Sequence, residues 1–320
     1  MSTLRTGVVG VGHMGTNHAR IYSRLEGCTF SAVYDKNHDA ARHVAKKYGT
    51  YAASSLEEFA GLVDAATICT PTVTHYEIGA FLLERGKHLL VEKPIADTPA
   101  SARALSELAA SRSCVLQVGH VERFNPVLTA LERKLKNPRF LEVTRLSPYP
   151  NRSTDIGVVL DLMIHDIEII LHIVRSPIVS MDPVGIAVLS NGEDIANVRF
   201  RFESGCVANV TASRISRDRV RKIRVFQENA YLSLDYQKQD GVMYRLDDGP
   251  KGKEIIRDKV EILRGEPLKI ELEAFIHCAR EGAKPKVSGH EAADALDIAL
   301  EITRRIEEAD PRKKSGQQLP

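Results

Sequence analysis

Six residues near the N-terminus, Gly10-Val11-Gly12-His13-Met14-Gly15, constrain this chain more than any other segment. They end an apolar run at residues 6–11 and open a pattern of helical period. A G-x-G-x-x-G turn placed between a strand and a helix lets the backbone approach a pyrophosphate closely, with the phosphate charge on the helix N-terminus. Asp35 closes the next apolar segment twenty residues after Gly15, where a carboxylate meets the ribose hydroxyls of a dinucleotide. An acid there repels the 2′-phosphate of NADP, although Lys36 beside it offsets part of that charge, so NAD is the favoured cofactor. Gly10, Gly12, His13, Met14, Gly15 and Asp35 are the expected cofactor contacts of this first unit.

The pattern around the motif fixes the fold class. Short apolar segments at residues 30–34, 65–69, 88–91 and 114–118 alternate with amphipathic stretches at 13–25, 39–48, 74–85 and 99–111. That grammar predicts an α/β domain with a doubly wound parallel sheet, a Rossmann fold, over residues 1–122. Thr98 and Pro99 suit the N-cap and first position of the fourth helix. After Pro126 the grammar changes. A helix is expected at 127–135, a strand at 140–146 and a long helix at 158–174. Strands follow at 184–190, 195–202, 207–214, 223–227 and 231–235. Consecutive strands with tight turns such as Glu203-Ser204-Gly205 predict an open, mostly antiparallel sheet, and two helices at 268–280 and 291–309 close the chain. Ser288 and Glu291 have the spacing of a capping box. Residues 123–320 then form a second α/β domain, the candidate region for substrate and oligomer contacts once the resemblance below is taken into account, with a frayed end beyond Asp310.

Composition narrows the function classes. The chain has 44 Lys and Arg against 42 Asp and Glu in 320 residues, which gives no bulk attraction for nucleic acid or an anionic membrane. No uninterrupted apolar run approaches the about 18 residues of a membrane span. The N-terminal apolar run is too short for a signal peptide, so a soluble cytoplasmic protein is expected. Five scattered cysteines without C-x-x-C spacing read as reduced interior residues.

Chemistry gathers at strand ends and on one helix. Thr70-Pro71-Thr72 with His75, and Glu92-Lys93-Pro94, follow the third and fourth strands of the first domain, where open α/β sheets present their ligand crevice. Thr70, Thr72, His75, Glu92 and Lys93 are therefore added to the cofactor contacts. Partial burial there would lower the pKa of Lys93 and make it a proton donor or relay; a helix-flanking surface lysine is the alternative reading. Asp161, His165, Glu168 and His172 recur at i, i+4, i+7 and i+11, a polar stripe on an otherwise apolar helix. His165 suits a base for a hydroxyl proton, and Asp161 one turn earlier orients it or binds substrate. The same stripe is also compatible with structural histidines paired to carboxylates. No metal site is expected, because there is no cysteine ligand set and no third histidine nearby.

The order Gly10-x-Gly12-x-x-Gly15, Thr70-Pro71-Thr72, Glu92-Lys93-Pro94, then Asp161-x-x-x-His165 resembles the glucose-fructose oxidoreductase, inositol dehydrogenase and MocA family over nearly the whole chain. The resemblance implies an NAD(P)-dependent dehydrogenase of CH–OH groups. It also implies that Lys93, Asp161 and His165 are the catalytic group, that the Lys93–Pro94 bond is cis, and that the second sheet joins subunits into a homodimer or homotetramer. Residues 119–126 and 214–219 resemble enzymes that oxidise the 3-hydroxyl of UDP-N-acetylglucosamine in lipid A or surface-sugar pathways. Arg123, Asn125, Tyr149 and Arg152 are the expected substrate contacts, with Arg214, Arg217 and Arg219 as further cations for a diphosphate. Free polyols or hexoses, and a dinucleotide-binding regulator without turnover, are the alternative readings.

Overall fold

The computed structural model describes residues 3–149, 156–249 and 252–310. Strands alternate with helices through the first part: β1 (Leu4–Val9), α1 (His13–Tyr22), β2 (Cys28–Tyr34), α2 (His38–Tyr48), β3 (Tyr51–Ala52), α3 (Leu56–Leu62), β4 (Ala65–Ile68), α4 (His75–Glu84), β5 (His88–Glu92), α5 (Pro99–Ser111) and β6 (Leu116–Gly119). The six strands pair in the order β3-β2-β1-β4-β5-β6, every pair parallel. Parallel strands are covered on both faces, and β4 is accordingly buried at every position. Thr98 caps α5 by accepting from the Ser101 N–H at 3.1 Å, with Pro99 at the first position.

The second part comprises α6 (Pro126–Glu132), β7 (Phe140–Leu146), a π turn (Val159–Met163) running into α7 (Ile164–Val174), then β8 (Ile178–Ile186), β9 (Ile195–Phe202), β10 (Val207–Ser213), β11 (Val220–Gln227), β12 (Ala230–Asp235), β13 (Asp240–Gly249), β14 (Gly252–Lys259), α8 (Pro267–Glu281) and α9 (Gly289–Ala309). The eight strands are ordered β14-β13-β12-β11-β7-β10-β9-β8, antiparallel except for β7 beside β10. Burial alternates along β7, β9 and β10, so one face of this sheet is packed and the other is open. Gly205, at φ +78°, makes the expected turn between β9 and β10.

The chain divides into two compact units, Met1–Phe124 with Glu266–Leu296, and Asn125–Gly265 with the residues from Asp297 onward. This differs from a single cut after residue 122, and the reason is hydrophobic. On α8, Leu272, Phe275 and Ile276 are buried in one cluster with Val8, Ala19, Tyr22 and Val33 of the first unit. Gln117 Nε2 donates to the Glu271 carbonyl at 3.1 Å, which ties α8 to β6. The capping box ahead of α9 forms as expected, Ser288 Oγ donating to Glu291 at 2.6 Å. No helix among the described residues is long and apolar enough to cross a membrane.

Candidate active site

In the first unit the glycine turn is shaped for a ligand. Gly10 has φ +84°, a region that suits glycine, and a Cβ there would lie 2.8 Å from the Cys69 carbonyl carbon. A Cβ on Gly15 would sit 1.8 Å from the Gly10 carbonyl oxygen, so α1 can start this close to β1 only with glycine. A Cβ on Gly12 would meet nothing within 4 Å, and Gly12 and His13 are exposed at the mouth of the turn. Met14 is half-buried. Asp35 takes the Val11 N–H on one carboxylate oxygen at 2.8 Å and the Asn37 N–H on the other at 2.9 Å. Each oxygen keeps a further lone pair, which fits the hydroxyls of a ribose. The residues present therefore fit an NAD.

Two loops at the carboxyl ends of β4 and β5 frame the same edge of the sheet. His75 is 1% exposed, and its ring nitrogens each lie 2.8 Å from a backbone carbonyl, Thr70 on one side and Pro94 on the other. It thus staples the two loops together and turns inward. Thr74 adds a hydroxyl bond to Thr70 at 2.8 Å. Thr70 and Thr72 are half-buried, and Lys93 is half-buried at the cis Lys93–Pro94 bond. Glu92 is buried beneath it, accepting from the Lys93 N–H at 3.3 Å.

Sequence reasoning missed what lies behind Glu92. His18 on α1, fully buried, places Nε2 at 2.9 Å from Glu92 Oε1. The only signal for it was a histidine on the inner face of the first helix. Cys69 completes a trio with His18 and Glu92 whose ligand atoms lie within 4.8 Å of one another. His18 Nε2 pairs with Glu92, and burial pushes the Cys69 thiol well above its ordinary value. Glu271 on α8 is also buried, and burial with the nearby Glu92 charge raises its carboxyl well above the usual range. His120, after β6, is pushed down to about 3 by burial and the cations Lys93 and Arg123, which keeps it neutral.

In the second unit, the expected long helix begins as a π turn. Asp161 is half-buried on that turn, and His165, 9% exposed, follows on the first turn of α7. Single π turns inside α-helices are frequent at functional sites. Asp166 beside His165 is clamped by Arg145 of β7, with Nε and Nη2 both at 2.7 Å. Glu168 is buried, and His172 pairs with Glu132 of α6 at 2.7 Å. Of the lower half of the polar stripe, His172 is thus held in an ion-pair geometry within this unit.

The expected substrate contacts divide. Arg123 is 1% exposed and donates to the Lys286 carbonyl at 3.3 Å, and Arg214 is fully buried against Asp194 at 2.8 Å, so neither stands as an open cation. Asn125 caps α6 through Oδ1 and donates its amide to the Tyr236 carbonyl at 3.2 Å. Tyr149 is exposed, its hydroxyl 3.3 Å from the Leu189 carbonyl, and Arg217 and Arg219 are exposed. Arg152 lies outside the described residues.

Comparison with known proteins bears on this geometry. Residues 4–120 match the model of an oxidoreductase family with an NAD-binding Rossmann fold, and residues 134–233 match the C-terminal domain of the GFO/IDH/MocA group. Over 310 residues, 96% of this chain and 98% of the relative, it is 33% identical to UDP-N-acetylglucosamine 3-dehydrogenase of Acidithiobacillus ferrooxidans. The chain belongs to the GFO/IDH/MocA oxidoreductases. A solved structure of that Acidithiobacillus enzyme matches with a TM-score of 0.90 at 32% identity, covering 96% of this chain and 99% of the other. Myo-inositol 2-dehydrogenase of Thermotoga maritima is 27% identical over 95% of this chain and 97% of its own length. The protein is thus a family dehydrogenase of hydroxyl groups that uses NAD, as the glycine turn and Asp35 imply.

Proposed function

We propose that this dehydrogenase oxidises the 3-hydroxyl of UDP-N-acetylglucosamine. The observation that carries the reading is the match to UDP-N-acetylglucosamine 3-dehydrogenase along nearly the full length of both chains. On this reading the product is a 3-keto sugar nucleotide, suited to a lipid A or surface-polysaccharide route in the cytoplasm.

Lys93, Asp161 and His165 are the groups proposed to act on the substrate. NAD, when bound, supplies the acceptor for the hydride leaving the carbinol carbon. His165 takes the hydroxyl proton, its ring held in place by the buried surface of α7. Asp161 orients that ring or the sugar from the preceding π turn. Lys93 lends a positive charge to the oxygen as negative charge develops there, with its backbone fixed by Glu92 and the His75 staple. Exposed Tyr149, Arg217 and Arg219, together with Arg152, are the side chains proposed to meet the sugar nucleotide. Arg123 and Asn125 hold the chain between β6 and α6 through the Lys286 and Tyr236 carbonyls.

The open face of the eight-stranded sheet supports self-association. Phe226, Tyr231 and Tyr244 stack across it with ring centroids 5.3 Å and 4.8 Å apart, and Val184 and Ile186 are exposed at its β8 end. A stacked aromatic row on an open face suits burial against a second copy in a dimer or tetramer. Light scattering at working concentration is expected to report one of these states, and a monomer would remove this part of the proposal.

The experiment for the whole reading is a panel of UDP-N-acetylglucosamine, free hexoses and inositols with NAD, read as absorbance of the reduced cofactor. Highest kcat/KM on the sugar nucleotide is expected. Preference for an inositol would move the chain to the activity named for its Thermotoga relative.

A further inference from the structure

The segment that presents Asp161 has no cap of its own. The first N–H groups of a helical turn need acceptors, and Gly157-Val158 offer no side chain that can supply one. The acceptor comes from far along the chain. Glu193, in the loop between β8 and β9 and only 5% exposed, accepts the Val159 N–H on Oε1 at 3.1 Å and the Val158 N–H on its backbone carbonyl at 2.8 Å. Arg214 donates to the Ile156 carbonyl at 2.6 Å and is itself locked to Asp194, the residue after Glu193. Three backbone groups within four consecutive residues are therefore held by this loop and its buried ion pair.

Gly157 shows how closely the carboxylate is fitted. A Cβ at residue 157 would lie 2.0 Å from Glu193 Oε1 and 2.2 Å from Oε2. The Gly157 carbonyl in turn accepts the Asp161 N–H at 3.1 Å, an α-type bond that leads into the π turn. The charged groups around Glu193 are Arg214 and Glu307, along with neighbouring Asp194, and burial raises its carboxyl above the usual value.

We propose that Glu193 is a positioning residue that sets Asp161 and, one turn on, His165, by capping the π turn from the β8–β9 loop. This rests on reading Asp161 and His165 as groups that touch substrate. Glu193 touches neither substrate nor cofactor in this scheme; it fixes where the turn begins, and misplacement of reacting groups by about 1 Å costs on the order of 100-fold in rate.

The test uses the full-length enzyme and four variants: Glu193→Ala, Glu193→Gln, Gly157→Ala and the Gly157→Ala/Glu193→Ala double. Glu193→Ala is expected to lower kcat by about 10- to 100-fold, with KM and the NAD dissociation constant changed less than about threefold. Glu193→Gln keeps an acceptor oxygen and is expected to recover most of kcat. Gly157→Ala expels the carboxylate and should match the loss in Glu193→Ala, while the double variant, which makes room for the new methyl, should be no worse than either single one. Hydrogen exchange across residues 157–165 should quicken in Glu193→Ala. A Glu193→Ala enzyme within twofold of wild-type kcat, a Gln variant as slow as Ala, or single losses that multiply in the double would each overturn the proposal. His165→Asn is the control for the underlying reading: if it stays active, that reading falls, and unchanged exchange at 157–165 in Glu193→Ala would separately overturn the cap. If Glu193→Ala does not fold, the Gln and Gly157 variants decide.

Discussion

Arg145 grips Asp166 with two nitrogens, both at 2.7 Å, and the pair is almost wholly shielded from water, at 4% and 1% side-chain exposure. Because Asp166 follows His165, the clamp fixes α7 on β7 at the turn that carries the proposed base. Removing one partner leaves a buried, uncompensated charge. Arg145→Met is expected to destabilise the protein by about 3–5 kcal/mol, and replacing both partners with apolar residues should return most of that. Denaturant unfolding of the single and double variants checks it; an Arg145→Met loss below about 1 kcal/mol would show the pair to be solvated.

Lys93→Met should separate turnover from cofactor binding. The half-buried slot accepts an unbranched chain, but the cation is lost. A fall of roughly 100-fold in kcat is expected for loss of one such group, as is a similar fall for His165→Asn. Calorimetric NAD affinity should stay near wild type, since the glycine turn and Asp35 are untouched. Normal turnover in either variant would remove that residue from the mechanism.

Asp35→Ser should shift the cofactor preference. The carboxylate offers acceptors to the ribose hydroxyls and repels a 2′-phosphate, and hydrogen bonds to charged groups contribute about 1.5–3 kcal/mol. NAD binding is expected to weaken by roughly tenfold or more while NADP changes less. Titration of both cofactors gives the ratio, and an unmoved ratio would place the ribose elsewhere.

Glu271 predicts a pH dependence of stability. Its folded-state carboxyl is raised well above the usual range by burial and by Glu92, so the folded protein holds a proton there that the unfolded chain releases near its ordinary value. The stability tied to that proton is fully present below the unfolded carboxyl pKa and falls as pH rises toward the folded one. Glu271→Gln keeps the shape without the ionisation. Its Tm should exceed wild type at pH 8 and converge with it at acid pH; parallel curves across the range would show that Glu271 does not titrate on unfolding.

Much of the first unit was legible because each signal is local. The glycine turn, the Thr98 cap, the Ser288–Glu291 box and the position of Lys93 after an apolar strand depend on neighbours in sequence. What escaped depends on partners far away. Residues 184–190 read as one strand, yet β8 is Ile178–Ile186, because the Asp194 carboxylate accepts the N–H groups of Val188, Leu189 and Ser190 and bends apolar residues into a loop. β13 and β14 carry too many charges for strand alternation and are held by cross-strand backbone pairing with help from Arg245–Asp258 at 2.8 Å. In the site, His18, the inward turn of His75 and the capture of Arg214 by Asp194 all rest on contacts that spacing does not encode.

The return of α8 to the first unit has a consequence for synthesis. Leu272, Phe275 and Ile276 complete the apolar cluster around β1 and α1. A ribosome therefore releases the whole sheet of the cofactor-binding half long before it delivers the helix that seals it. Until that helix emerges, Tyr22, Val33 and their neighbours stay partly uncovered on the nascent chain, and a truncation before residue 266 would leave that surface open to chaperones and to aggregation.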